Sequence, residues 1–276
     1  MSDAQALARA FDPFNDPYLS DPYPFFVEAR QAAPVFYSEA LDYWIVSRYE
    51  DVREVLSNWR LFSASNTLDT LKPLCPHARQ ALAEGGFRPV KALTNADPPA
   101  HTRVRRLANV AFTPRRVAMM EDFIRHTTRR FVEQRLKAGR ADLVRDFAWD
   151  LPALVIFNVI GVPEKDVEWV KAGTGSRILF NWGYPSDEEQ VKLATDSATF
   201  WRYAEQLVAE RTREPRDDFT SDLIRARDRE DAPLDAREVT TVLFSLLTAG
   251  HETTTSLLGN AFRWLLDQHA RSEEHV

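Results

Sequence analysis

At 276 residues, 44% hydrophobic and 28% charged, the chain has an ordinary soluble globular composition and is long enough for one large domain or two. Its formal charge of −6 and the lack of any basic cluster give no reason to expect a nucleic-acid partner. A single cysteine, Cys75, rules out an internal disulfide, and no run has the apolar length of a signal peptide or membrane span, so a cytoplasmic protein without a membrane partner is expected.

Asp21-Pro22-Tyr23-Pro24 opens a short helix through residue 30, and residues 35–37 and 43–46 read as the two strands of a hairpin. Ser47 with Glu50 forms a capping-box pattern for a helix through about residue 56. Residues 57–96 lack sustained periodicity and carry Pro73, Pro76, Gly85, Gly86 and Pro89; so long a connection inside a compact domain is functional or disordered. Asp97 followed by Pro98 and Pro99 reads as a cap and first turn, and the helix it starts carries His101, Arg103, Arg105 and Arg106. Thr113-Pro114 starts the next helix, which runs to about Ala138 and stops at Gly139. An apolar helix ends at Gly161-Val162-Pro163 and another runs from Glu164 towards Phe180. Residues 181–185 turn the chain, and Ser186 with Glu189 caps a long helix to about Arg213. The expected fold class is mainly α with a small β-sheet near the N-terminus.

The chain is organised around residues 234–268. Asp235 with Glu238 repeats the capping-box pattern, no proline follows, and one helix of that length would span about 50 Å and cross the molecule. Apolar residues fall around much of its girth. Its middle, however, is Ala249-Gly250-His251-Glu252-Thr253-Thr254-Thr255, where a glycine, a carboxylate and three β-branched hydroxyls each weaken a helix interior. Thr253 follows Ala249 by four residues, within reach of its carbonyl through a back-bond that bends helices, and Gly250 removes a side chain on the same side. Together they would open a groove for a flat ligand, with Glu252 as a candidate proton carrier. The same residues equally fit a polar notch filled by water, or a solvent-facing patch.

His101 and Arg105 share one helix face at i and i+4 and can donate to carboxylates or phosphates, although a basic helix face is commonly just solvated. His251-Glu252 lacks the second histidine of a zinc motif, since the fifth position is Thr255, and no metal ligand is assigned. Gly173-Thr174-Gly175-Ser176 has neither a phosphate-loop lysine nor dinucleotide glycine spacing and reads as a loop.

Ala249-Gly250-His251-Glu252-Thr253-Thr254 resembles the oxygen-activation motif in the central helix of the cytochrome P-450 superfamily, the heme-thiolate monooxygenases. Asp97-Pro98-Pro99-Ala100-His101-Thr102-Arg103-Val104-Arg105-Arg106 is similar to the segment of soluble bacterial members whose histidine and arginine bind a heme propionate. The helix order, the hairpin and the long connection before Asp97 agree, so the resemblance covers the chain to about His269. It implies the cytochrome P-450 fold and an enzyme that inserts one oxygen atom of O2 into an organic small molecule with electrons from NAD(P)H. Heme would be the cofactor, with His101 and Arg105 on its propionate and Ala249, Gly250 and Thr253 against it. Thr253 would hydrogen-bond the bound oxygen and Glu252 would relay protons. Substrate contacts would come from residues 63–95, where Cys75 would be a loop thiol, from the turn around Trp182 and from residues 242–249. The partner would be a ferredoxin- or flavin-type reductase; Phe87-Arg88-Pro89-Val90 is more weakly similar to members fused to, or served by, a flavin and iron–sulfur reductase.

The sequence departs from the family in one large respect. The family's Glu-x-x-Arg helix and its Phe-x-x-Gly loop leading to Cys-x-Gly would follow the central helix, and residues 269–276 do not continue that pattern. Cys75 has no glycine-bearing loop behind it and is a poor substitute. Residues 1–276 are therefore expected to be a single N-terminal portion of a cytochrome P-450 domain that ends just after the central helix, without the axial cysteine and inactive alone. The rival expectation is a non-catalytic helical fragment or ligand-binding remnant.

Overall fold

The computed structural model describes residues 2–227 and 234–273. Helices α1 (Asp3–Ala10) and α2 (Tyr23–Ala32) lead into strands β1 (Val35–Ser38) and β2 (Tyr43–Val46), an antiparallel pair with Val35 opposite Val46 and Ser38 opposite Tyr43. This is the expected hairpin, and Phe36 turns inward from it onto Phe11 and Phe25 to close a small N-terminal cluster. The chain continues through α3 (Tyr49–Ser57), α4 (Pro76–Glu84), α5 (Ala100–Ala111), α6 (Pro114–Met119) and α7 (Glu121–Ala138). A π-helical turn at Val144–Ala148 precedes α8 (Leu151–Ile160), α9 (Val167–Thr174), α10 (Ser176–Trp182), α11 (Asp187–Arg213), α12 (Phe219–Arg227), α13 (Ala236–Ala249) and α14 (Glu252–Glu273). No helix among the described residues is long and apolar enough to cross a membrane.

The main core lies where α8, α11, α12 and α13 meet, around the fully buried Phe157, Trp201, Leu223, Leu243 and Leu247. Charge is buried there too. Arg211 donates through Nε to the Asp218 carboxylate and through Nη2 to the Gly161 carbonyl, while the Thr220 hydroxyl donates to the Ile160 carbonyl. One ion pair thus ties together the ends of α8, α11 and α12. Gly161 stops α8 at φ 89°, and a Cβ there would overlap the Asp218 carboxylate, so both backbone and space call for glycine.

Tertiary contacts overturn several local readings. Ser47 does not cap α3: its hydroxyl donates to the Pro34 carbonyl at the open end of the hairpin, and Arg48 holds the cap position without a side-chain bond. Asp97 does not cap α5. Its carboxylate accepts from the Ser63 hydroxyl and the Ala64 amide, bonds that hold it below the ordinary carboxylate range, and Pro99 takes the cap position. The connection 57–96 contains α4, and Cys75, the last residue of the loop before it, is buried against α11, its sulfur capping α4 by accepting from the Ala78 amide. The helix expected from Thr113 to Ala138 is two, with Glu121-Asp122 supplying an acidic first turn to the second. The helix from Glu164 divides at Gly175, so Gly173 to Ser176 is a helical junction rather than a loop, and Trp182 ends α10 rather than lying in a turn. The Phe200 ring stands where a Gly173 side chain would be, which lets α9 sit directly on α11. The largest correction concerns residues 234–268, which form α13 and α14, separated at Gly250-His251.

Candidate active site

The capping box that starts α13 is formed: the Glu238 amide donates to Asp235, and the Asp235 amide donates to Glu238. At the other end the Gly250 amide donates to the Leu246 carbonyl at 3.0 Å, and Thr255 donates to the His251 carbonyl at 2.9 Å as α14 begins. The break resolves the oddity of the sequence. Glu252 and the three threonines occupy the first turn of a new helix, where the macrodipole favours a carboxylate. They are not interior residues of an old one.

His251 is fully buried in the break, beside the rings of Trp149 and Phe157, and its Nε2 lies 3.1 Å from the Thr174 hydroxyl of α9. Thr174 gives its single hydroxyl proton to the Lys171 carbonyl. Nε2 and the Thr174 hydroxyl share one hydrogen bond, and Nδ1 has no hydrogen-bond partner among the described residues. Burial first, and Lys171 second, push the His251 pKa down, so the ring is neutral. One residue on, burial pushes the Glu252 carboxyl up. That side chain lies against the α9–α10 junction, its Oε1 4.0 Å from where a Gly175 Cβ would stand.

The groove expected from Gly250 and Thr253 takes a different form. A Gly250 side chain would meet the Leu246 carbonyl and the Ile156 side chain of α8, so this glycine permits close helix packing. Thr253 is exposed and its expected back-bond to the Ala249 carbonyl is not made; the hydroxyl that ties α14 down is Thr255, donating to the Ala148 carbonyl at 2.9 Å. The opening is a stripe on the helix surface, with Ala249, Thr253 and Leu257 exposed at i, i+4 and i+8. A second side of the break, with Gly250, Thr254 and Leu258, lines a cavity of about 430 Å³ against Ile156 and Val155 of α8.

His101 and Arg105 stand on α5, the first half-buried and the second exposed, while Val104, Leu107 and Ala108 turn into the core. Arg103 pairs with Glu238, so the helix carrying the two basic residues is fastened to the start of α13. Among the described residues no hydrogen bond or ion pair joins His101 or Arg105 to residues 249–255, and no carboxylate pairs with Arg105. These residues fit a flat apolar group with anionic substituents: an uncovered small-residue stripe with one free hydroxyl, and unspent basic donors on a neighbouring helix. His251 and Thr255, which fix the break in place, are not among the site residues to which the sequence points. Their only signal was adjacency to Gly250 and Glu252.

No family model matches the chain. Its sequence is similar to cytochrome P-450 123 of Mycobacterium tuberculosis, 34% identical over 253 residues that make up 92% of this chain and 60% of that protein. Its backbone is similar to cytochrome P-450 CREJ in complex with (4-ethylphenyl) dihydrogen phosphate, with TM-score 0.89 and 35% identity over 97% of this chain and 66% of that one. It is also similar to an intact type IV self-sufficient cytochrome P-450 monooxygenase, with TM-score 0.86 and 34% identity over 97% of this chain and 35% of that one. The chain spans about 60% of the length of the curated relatives it matches. With a third of its residues shared along nearly its whole length, and the same helical frame around the broken central helix, the chain belongs to the cytochrome P-450 superfamily.

Proposed function

We propose that this chain is the N-terminal portion of a cytoplasmic heme-dependent monooxygenase and carries the part that handles oxygen and an organic substrate. The observation that supports this most is the pairing, at a broken buried helix, of a desolvated carboxylate at Glu252 with the uncovered stripe of Ala249, Thr253 and Leu257. Heme, when bound, supplies the activation of O2. His101 and Arg105 would hold its propionates and Ala249 and Thr253 would lie against it, whereas Gly250 is taken up by packing on Ile156. The chain's own groups then have separate tasks. Among the described residues the Thr253 hydroxyl has no partner, and it is free to donate to a small molecule. Glu252, with its raised pKa, keeps a proton closer to neutral pH than an exposed carboxyl does, and is suited to deliver it from an Oε atom and be recharged by solvent. Leu257 excludes water from the same face.

We further infer that electrons come from NAD(P)H through a ferredoxin- or flavin-type reductase, a reading supported by the self-sufficient structural relative. The axial cysteine is inferred to lie outside residues 1–276, because Cys75 is committed to capping α4. In the protein extended to the length of its relatives, Thr253→Ala is expected to divert electrons from product to hydrogen peroxide; unchanged coupling removes Thr253 from this role. Residues 1–276 loaded with heme are expected to give no thiolate-type Soret band in the reduced carbon monoxide spectrum, and such a band would place the axial ligand within them.

A further inference from the structure

Arg177, in the first turn of α10, is half-buried, and its guanidinium carbon stands 4.4 Å from the centre of the Phe244 ring on α13. Phe244 is itself buried and packs edge-on against Phe87 and Trp201, so the guanidinium rests on a rigid aromatic floor. Among the described residues none of its five N–H donors has an acceptor and no carboxylate pairs with the charge.

The other inward arginines differ. Arg103 has Glu238, Arg116 has Asp222, and Arg211 has Asp218. Burial alone pushes the Arg177 pKa down to about 10, which still leaves it cationic at neutral pH. Glu252, beside Gly175, is not its counter-ion, since burial is the sole cause of the shift in each group. A partly buried cation with no acceptor among the described residues is costly in an empty protein and an asset where an anion arrives to pair with it.

We propose that Arg177 is the specificity-determining residue of the substrate site: it receives the oxyanion, carboxylate or phosphate monoester, of an amphipathic organic substrate whose apolar body extends past the half-buried Phe87. This rests on reading the face around α13 and α14 as the site of an organic substrate. The bidentate fork of the guanidinium matches either oxyanion, and its contact with the Phe244 ring restrains the side chain before binding.

Calorimetric titration of the full chain with para-propylbenzoate, para-propylphenyl phosphate and the neutral para-propylbenzamide separates the possibilities. At least one anion is expected to bind roughly tenfold or more tightly than the amide, and which of the two does so identifies the oxyanion. That preference should weaken with added salt, vanish in Arg177→Gln and survive in part in Arg177→Lys. An amide that binds as tightly as both anions, or a preference that persists in Arg177→Gln, overturns the assignment of Arg177 and leaves the substrate site standing. If none of the three binds, the substrate site itself falls, and Arg177 with it.

Discussion

Replacing Gly250 with alanine puts one methyl group into occupied space. The new Cβ would stand 2.6 Å from the Leu246 carbonyl oxygen and 2.7 Å from Ile156 Cγ1, against an ordinary carbon contact of about 3.5–4.0 Å. Two effects oppose each other. Within a helix alanine is favoured over glycine by about 1 kcal/mol, but Gly250 lies in the break after α13 and little of that gain applies. Overpacking costs about 1–3 kcal/mol, and here one of the obstructing atoms is backbone that cannot swing aside. A net loss of about 1–2 kcal/mol is therefore expected in urea unfolding followed by circular dichroism. The share due to Ile156 is separable, because Ile156→Ala removes the obstructing Cγ1. In that background Gly250→Ala should cost less by about 0.5 kcal/mol or more. A neutral or stabilising Gly250→Ala, or two costs that simply add, would refute the close approach of α8 to the break.

Three other expectations follow from the same geometry. Thr255→Val leaves the buried Ala148 carbonyl without its donor and should cost about 1–2 kcal/mol in thermal unfolding, whereas Thr253→Val, at an exposed hydroxyl, should stay within about 0.5 kcal/mol; the reverse order would place the wrong threonine inward. Arg211→Met strands the buried Asp218 charge and should cost about 3–5 kcal/mol, with much of it recovered in Arg211→Met/Asp218→Leu; an equal loss in both variants would show that the packing and not the charge is at issue. For His251, whose folded pKa lies below the ordinary 6.5, the unfolded chain takes up a proton that the folded chain refuses. Stability is then full above pH 6.5 and falls as the pH drops below it, and His251→Asn should flatten that acid limb in a series of urea melts. Parallel limbs in the two proteins would remove His251 from the linkage.

What could be read from the sequence was local and what could not was long-range. The Ser186–Glu189 and Asp235–Glu238 boxes form as written because each is complete within four residues. Gly139 and Gly161 end their helices at positive φ, as glycines after a periodic run should. Ser47 and Asp97 carry the same short-range signals and fail, because Pro34 and the Ser63–Ala64 corner offer partners that no local pattern encodes. In the site, the motif at residues 249–254 was visible, but which threonine faces inward depends on where the Ala148 carbonyl arrives, and that is set by a π-helical turn with no clear sequence mark. The break itself was ambiguous, since glycine inside an apolar run is compatible with a continuous helix as well as with its end. Arg177 carried no signal at all, because an arginine becomes unusual only when its surroundings withhold a counter-ion.

His251 also gives the molecule an internal gauge. Its two ring nitrogens are unlike, one bonded to the Thr174 hydroxyl and one without a partner among the described residues, and both are shut away from solvent. Their nitrogen resonances therefore depend on the distance from α9 to the start of α14. A ligand that draws the two helices apart must lengthen that contact, and one that clamps them must shorten it. The opening of the helix break can be followed by magnetic resonance on a native side chain, with no reporter group added.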